Sequence, residues 1–210
     1  MTSYILGTGG FAAEVFEWLE AANQSIEFGG FVSKDRENSM PPLVNAACVS
    51  EEEMTRDSEI SIYLAIGDPK MRSEVAQKIS LSYPLASFPN LIHPTAIVSN
   101  NAQIGVGNLI LPFSVICPKS RMGSFNILNL YSSLGHDVAI GDFCTLSPYA
   151  TLNGSSECGD MVFVGSHATV APAVKLERGS TLSANSLATK NIAAGGLAFG
   201  VPAKSLKAAS

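Results

Sequence analysis

Few residues of this chain can exchange a proton near neutral pH, and its three histidines are His93, His136 and His167. Asp137 directly follows His136, and Asp142 lies six residues after His136. A neighbouring carboxylate can hold an imidazole in one tautomer, so that the other ring nitrogen accepts a proton. The sequence therefore predicts His136 as a general base oriented by Asp137. The alternative is a surface histidine with an acidic neighbour by chance.

The histidines do not predict a metal centre. Zinc needs at least three converging ligands. The three histidines are 43 and 31 residues apart in the sequence, so we expect them on different parts of the fold. The four cysteines show no CxxC spacing, and reduced thiols are the simpler interpretation.

The residues from His93 to Ala188 repeat with a period of six. The sixth place of sixteen consecutive hexads is always apolar, and the place two before it is mostly small or β-branched. The apolar places are Val98, Ile104, Ile110, Ile116, Met122, Leu128, Leu134, Ile140, Leu146, Leu152, Cys158, Val164, Val170, Leu176, Leu182 and Ala188. A fixed hexapeptide period predicts a parallel β-helix, with one short strand and one corner in each hexad. The alternative, a β-sandwich, does not repeat its turns every six residues without drift.

This repeat indicates which way side chains point. Residues two apart on a strand face the same side, so both repeating places face the axis, including those of Cys144 and Cys158. His136 lies across Gly135 from the inward Leu134, so we expect it to point outward. Glycine often follows the apolar place, and we expect those glycines to turn the corners with positive φ.

The N-terminal segment predicts a phosphate site. A strand at Ser3–Leu6 is followed by Gly7, Gly9 and Gly10, and then by a helical pattern of apolar residues. A glycine loop at the start of a helix lets backbone N–H groups approach phosphate. The alternative is a tight turn without a ligand.

Two further positions are candidates at the same edge of the predicted sheet. Asp35 follows a second predicted strand and could accept hydrogen bonds from a base or ribose, or could be a solvated loop acid. Gly67 closes a third predicted strand, just before a helix that starts at Pro69.

Composition and charge limit the classes of function. The 210 residues carry a net charge of −5, which argues against a nucleic-acid or anionic-membrane surface. No 18-residue apolar run and no signal pattern is present, so we expect a cytoplasmic protein. We expect an α/β plus all-β chain: a small Rossmann-like domain at 1–88, a β-helix at 91–192 and a tail at 193–210.

Four stretches carry a resemblance to a known family: ILGTGGFAAEV at the start, NLIHPTAIV, GHDVAIGDFCTLSPYATLNG, and FGVPAK near the end. The chain resembles the NeuD/PglD family of bacterial sugar acetyltransferases, within the left-handed β-helix acyltransferases. The resemblance implies a left-handed helix and a homotrimer, with acetyl-CoA between neighbouring β-helices. It implies N-acetyl transfer to a nucleotide-linked amino-deoxy sugar, a 4-amino-4,6-dideoxyhexose, in surface glycan biosynthesis.

The resemblance also implies residue roles. His136 would take a proton from the attacking amine, Asp137 would orient it, and Asn129 would lie close to the acetyl group. The residues implied beside the cofactor are Thr145, Gly154, Ser166, Ala184 and Pro202. The residues implied beside the nucleotide sugar are Gly7, Gly9, Gly10, Asp35 and Gly67. No metal is implied.

The sequence departs from the family pattern at two places. Thr145 stands where many members carry a second histidine, and Lys34-Asp35 stands where many have an acidic pair. These departures leave the cofactor contact at Thr145 and the base specificity open.

The sequence leaves three alternative functions open. The first is O-acetylation of a sialic acid or related sugar. The second is an NAD-linked enzyme, which would leave the hexads unused and lacks an acid about 20 residues past the loop. The third is a noncatalytic scaffold, which would leave His136 and Asp137 without a role.

Overall fold

The structure is a computed structural model that describes residues 1–22, 26–33, 47–54 and 59–206. Its first part is a parallel sheet of β1 (Thr2–Leu6), β2 (Glu27–Ser33), β3 (Cys48–Ser50) and β4 (Ile60–Leu64), in the order β3-β2-β1-β4. Helix α1 (Gly10–Ala22) follows β1, a 3-10 turn spans Glu51–Glu53, and helix α2 (Pro69–Ser82) follows β4. No helix in these described residues is long and apolar enough to cross a membrane.

This strand order creates a crevice. The chain leaves β1 towards β2 on one side, while β4 pairs with β1 on the other. Ligands bind at such a reversal, outside the carboxyl ends of the strands. The segments after β1 and β4 lie together there, because Ala65 N–H donates to the carbonyl of Leu6 at 3.0 Å.

The second part is a parallel β-helix of short strands separated by four-residue corners. In chain order the strands are β5 (Leu91–Ile92), β6 (Ile97–Val98), β7 (Gln103–Ile104), β8 (Leu109–Ile110), β9 (Val115–Ile116), β10 (Arg121–Met122), β11 (Ile127–Leu128), β12 (Ser133–Leu134), β13 (Ala139–Ile140), β14 (Thr145–Leu146), β15 (Thr151–Leu152), β16 (Glu157–Cys158), β17 (Phe163–Val164), β18 (Thr169–Val170), β19 (Lys175–Leu176), β20 (Thr181–Leu182), β21 (Leu187–Ala188), β22 (Leu197–Gly200) and β23 (Ala203–Ser205). The predicted hexapeptide coil is therefore confirmed.

Every third strand lies on the same face of a three-sided prism. Face 1 contains β5, β8, β11, β14, β17, β20, β22 and β23; face 2 contains β6, β9, β12, β15, β18 and β21; face 3 contains β7, β10, β13, β16 and β19. Paired residues are 18 apart, as for Ser133 with Thr151. A side chain therefore lies in column with those 18 residues before and after it.

The inward places form one core. From Ile110 to Ala188 every sixth residue is buried, and small residues such as Ala150 and Ala168 fill the places beside them. Cys144 and Cys158 are buried in the same cluster as free thiols, as their positions predict.

The corners correct one expectation. Positive φ occurs three places after the apolar residue rather than at the glycine that follows it. Asp137, for example, has a φ of 60°, and twelve non-glycine residues of the coil share this conformation. The glycines are needed for space instead: a Cβ on Gly123 would be 2.2 Å from Oδ1 of Asp142 on the next coil. That oxygen accepts from Ser124 N–H at 2.7 Å, so the glycine makes room for a carboxylate that satisfies the corner backbone.

The α/β part covers the first coils of face 1. Val15 and Leu19 of α1 join one buried cluster with Leu91, Leu109 and Ile127 of the coil. The ring of Trp18 meets His93 edge-on at 5.3 Å between centroids, so His93 lies at the contact between the α/β part and the coil. Burial lowers the pKa of His93.

The C-terminal segment extends face 1. Strand β22 pairs in parallel with β20, and β23 folds back antiparallel onto β22. Part of the predicted tail thus adds to a sheet at the end of the prism, and the division into domains at 88, 91 and 192 stays a prediction.

Candidate active site

His136 and Asp137 occupy the corner between faces 2 and 3, which we call the histidine corner; its turns are 117–120, 135–138, 153–156 and 171–174. Nδ1 of His136 lies 2.8 Å from Oδ2 of Asp137, and 71% of the His136 side chain is exposed. The predicted outward orientation is confirmed. If Nδ1–H donates to the carboxylate, Nε2 is free to accept a proton. Asp142 belongs to a different corner, where it caps Ser124.

Gly154 supports the imidazole from the next coil. It lies 18 residues after His136, and a Cβ there would be 2.6 Å from both Cε1 and Nε2 of the ring. The same column holds Pro118 and Pro172 in the neighbouring coils. Gly154 is therefore the residue whose missing side chain leaves room for the ring, a contact that the 18-residue spacing could have indicated.

A column of stacked rings follows the corner between faces 1 and 2, which we call the aromatic corner; its turns include 111–114, 129–132, 147–150, 165–168 and 183–186. Phe113, Tyr131, Tyr149 and His167 stack with centroids 4.5 to 4.8 Å apart. Each apolar ring is almost half exposed. Sequence reasoning missed this column, although the spacing of 18 was visible.

Three predicted site residues lie on the aromatic corner. Asn129 opens the turn before Tyr131, and its Oδ1 accepts from Leu130 N–H at 2.7 Å. Ser166 and Ala184 lie in the two following turns of that corner, at 165–168 and 183–186. Asn129 and His136 thus flank the two ends of β12, so one chain does not bring them together.

The N-terminal loop lies at the crevice between β1 and β4. Gly7 has a φ of 133°, and a Cβ there would be 2.8 Å from the carbonyl oxygen of Ala65. A Cβ at Gly9 or Gly10 would meet nothing within 4 Å. The loop is therefore open to a ligand, while Gly7 is required by the fold.

A cavity of about 530 Å³ opens beside this loop, lined by residues that include Gly7, Thr8, Ser33, Glu51 and Lys78. Lys78 Nζ pairs with Oε2 of Glu51 at 2.5 Å. The volume suits a small organic ligand. Asp35, predicted to touch the base or ribose, lies outside the described residues.

Thr145 and Gly67 meet in the contact between the two parts of the chain. The Thr145 hydroxyl lies 2.9 Å from the Gly67 carbonyl and 2.9 Å from Nη2 of Arg72, and Thr145 is 5% exposed. The structure gives Thr145 this contact, and its predicted role beside the cofactor stays a prediction. Arg72, which sequence reasoning missed, is 1% exposed.

Pro202, predicted beside the cofactor, is exposed in the turn between β22 and β23. Nearby, Gly200 N–H donates to Oγ of Ser186 at 2.9 Å, which ties this turn to the last turn of the aromatic corner. Among the described residues, no group of His, Cys, Asp and Glu could hold a metal ion.

Comparison with known proteins shows which families and solved structures this chain is similar to. The family model for the PglD N-terminal domain matches residues 4–79, and no curated protein sequence matches the chain. PerB from Caulobacter crescentus, in complex with CoA and GDP-perosamine, is 28% identical, over 99% of this chain and 98% of that one, with a TM-score of 0.87.

Two further solved structures agree. A variant of the perosamine N-acetyltransferase of Caulobacter crescentus, with CoA and GDP-perosamine, is 26% identical over the same shares of both chains, with a TM-score of 0.87. The acetyltransferase domain of PglB from Neisseria gonorrhoeae FA1090 is 25% identical over 98% of this chain and 99% of that one, with a TM-score of 0.86.

A small parallel sheet with helices, followed by a parallel β-helix like those of left-handed β-helix acyltransferases, confirms the predicted fold class. The N-terminal part of the chain is similar to a PglD N-terminal domain and its whole length to sugar acetyltransferases. These likenesses support the resemblance to the NeuD/PglD family.

Proposed function

We propose that this protein transfers the acetyl group of acetyl-CoA to the amine of a nucleotide-linked amino-deoxy sugar. The observation that carries this proposal is an exposed imidazole held by a carboxylate at 2.8 Å, in a chain that also presents an open glycine loop before a helix. The relatives that bind CoA together with GDP-perosamine support both halves of the reaction. The sugar we propose is a 4-amino-4,6-dideoxyhexose.

The chemistry assigns a role to each atom of the pair. The sugar nitrogen attacks the thioester carbonyl, the new C–N bond forms, and the C–S bond breaks. Nε2 of His136 accepts the proton that the nitrogen loses and passes it to the departing thiolate. Asp137 stabilises the imidazolium between these steps, and such general-base help contributes about 10²- to 10⁴-fold.

We propose a homotrimer in which neighbouring chains share each site. Outward residues of face 2 include small Ser133 and Thr151 between apolar Ile97 and Leu187, whereas face 3 carries the exposed pair Glu157–Lys175. Face 2 is therefore the surface suited to another chain.

In a closed ring of three copies, one edge of face 2 in each copy would contact the opposite edge of face 2 in the next copy. The histidine corner of one copy would then meet the aromatic corner of the next. That arrangement would bring His136 and Gly154 of one chain near Asn129, Ser166 and Ala184 of its neighbour. Acetyl-CoA would lie in this groove, with Pro202 at the end of it.

The nucleotide end of the acceptor would occupy the crevice after β1 and β4. Helix α1 begins at Gly10, so its free backbone N–H groups and positive end would face a diphosphate bound beside Gly9. We place the enzyme in the cytoplasm, where acetyl-CoA and nucleotide sugars are made.

The test is incubation of the purified protein with acetyl-CoA and UDP-, dTDP- and GDP-linked amino sugars, with release of free CoA thiol as the readout. We expect one amino sugar to give rapid thiol release. Its product should be about 42 Da heavier, because an acetyl group replaces one hydrogen. Matched sugars with a hydroxyl in place of the amine are the control. Thiol release only with hydroxyl sugars or free sialic acid would assign O-acetylation and contradict the proposal.

A further inference from the structure

Arg72 is a buried cation at the junction of the two parts of the chain. It lies in the first turn of α2, immediately after the loop that closes β4, and only 1% of it is exposed. Its environment consists of neutral oxygens: the hydrogen bonds from the guanidinium go to five backbone carbonyls and one hydroxyl. Burial lowers its pKa to about 10, so the group remains charged at neutral pH.

One side of the guanidinium holds the loop after β4. Nη1 donates to the carbonyls of Ile66 at 2.5 Å and Gly67 at 3.1 Å. These residues border the crevice in which we place the nucleotide, since Ile66 lines the cavity beside Gly7.

The other side holds the β-helix. Nε donates to the carbonyl of Phe125 at 2.8 Å, and Nη2 donates to the carbonyl of Phe143 at 2.9 Å. Nη2 also lies 3.0 Å from the Cys144 carbonyl. The rings of Phe125 and Phe143 stack with centroids 5.0 Å apart beside these bonds. The part of the β-helix that Arg72 contacts is therefore well packed.

The nearby Asp68 carboxylate partly offsets the effect of burial on the pKa of Arg72. No carboxylate among the described residues is hydrogen-bonded to the guanidinium, however, and such a buried charge is a costly way to join two domains. Taking a guanidinium out of water is unfavourable unless every donor is satisfied, and a well-packed apolar side chain would often be at least as stabilising. The planar guanidinium contributes directional specificity instead, because its N–H donors point in fixed directions. The contact is therefore suited to setting the relative position of two loops.

We propose that Arg72 is a positioning residue for catalysis: it fixes the loop Ile66–Gly67 to coils 125–145 and thereby sets where the sugar of a bound nucleotide meets the reacting groups. This inference rests on the proposed function. It predicts that Arg72 affects the rate of transfer more than the binding of either substrate, because a displacement of about 1 Å can cost 10²-fold in rate.

The test uses the full-length protein with Arg72→Lys and Arg72→Met. For Arg72→Met we expect kcat to fall by about 10- to 100-fold, while the KM for acetyl-CoA and the calorimetric Kd for a free nucleoside diphosphate change less than about twofold. Arg72→Lys keeps the charge but loses the planar guanidinium, so we expect a smaller loss of kcat with the same unchanged binding. Arg121→Met, at an exposed arginine of face 3, is the matched control and should leave all three quantities unchanged.

Two outcomes would overturn the inference. One is a kcat within about twofold of the original in both Arg72 variants. The other is a parallel loss of kcat, nucleotide binding and acetyl-CoA binding in Arg72→Lys, which would make Arg72 a general stabiliser of the fold. If Arg72→Met does not fold, Arg72→Lys decides alone.

A second readout needs no turnover. Amide hydrogen exchange at Ile66 and Gly67 should be faster in Arg72→Met than in Arg121→Met, because the guanidinium then no longer holds this loop. If the unaltered protein acetylates no amino sugar, the proposed function is wrong, and the exchange comparison still tests the positional role: equal exchange rates would contradict it.

Discussion

Gly154 lies against the imidazole of His136, so close that a methyl group on its Cα would be 2.6 Å from Cε1 and Nε2 of the ring. The two residues are 18 apart and belong to successive coils of one corner. The nitrogen that faces this space is the one left free by the bond from Nδ1 to Asp137. The position of the proposed base is therefore set by one carboxylate and one missing side chain.

Gly154→Ala should displace the imidazole and lower turnover. A non-bonded Cβ does not come within 2.6 Å of a ring atom, so the imidazole must rotate away from its present position. We expect a loss of kcat of about 10²-fold. Steady-state kinetics with acetyl-CoA and the amino sugar would measure it. Ser155→Ala, at the next residue of the same turn, should retain turnover, and equal activity in both variants would remove Gly154 from the site.

Gly9→Val should weaken binding of the nucleotide sugar and spare acetyl-CoA. A side chain at Gly9 meets nothing within 4 Å, so the fold tolerates it, but it occupies the space through which phosphate would approach the loop. We expect a higher KM for the sugar nucleotide at an unchanged KM for acetyl-CoA. The reverse pattern would show that the N-terminal loop serves the cofactor.

The prism was predictable from sequence because its rule is local and repeated. Sixteen apolar places in register leave few alternatives, and the inward thiols of Cys144 and Cys158 follow from the same rule. The corner geometry was not predictable in detail. Positive φ falls at Asp137, three places after Leu134, and not at Gly135. The need for Gly123 depends on the Asp142 carboxylate, which belongs to the next coil.

The inward cysteines should be unreactive in the folded protein. Burial raises the pKa of Cys144 to about 12 and that of Cys158 well above its ordinary value, and the thiolate is the form that reacts. At pH 8 we expect a disulfide reagent to titrate only the half-buried Cys48 and Cys117, and all four thiols after unfolding. Cys117→Ser should remove one of the two reactive groups. Four rapidly reacting thiols in the native protein would contradict the buried positions.

Subunit mixing should reveal whether the site is shared. Asn129→Ala and His136→Ala should each lose most of their turnover. Trimers reassembled from equal amounts of both should regain about a quarter of the original activity, since one interface in four then has both residues intact. Mixing the double variant with itself is the control. No recovery in mixed trimers, or an active monomer by mass measurement, would contradict the proposed interface.

The candidate site was only partly predictable, for a physical reason. His136 could be recognised from its neighbour in sequence, because Asp137 contacts it directly. Arg72 could not, because its partners Phe125 and Phe143 are 53 and 71 residues away and an arginine in an amphipathic helix is ordinarily solvated. The aromatic corner was partly predictable. The 18-residue spacing of its rings is visible in the sequence, but the exposure of those rings depends on which face of the β-helix the α/β part covers.

The most direct test of the proposed mechanism is His136→Ala, measured as turnover and acetyl-CoA binding on the same preparation. We expect turnover at pH 7 to fall by about 10²- to 10⁴-fold with the Kd for acetyl-CoA unchanged, and partial recovery at higher pH, where more of the amine is already neutral. Asp137→Asn should lose less, because the imidazole remains. Near-normal turnover of His136→Ala at pH 7 would contradict the assignment and make His136 a surface histidine.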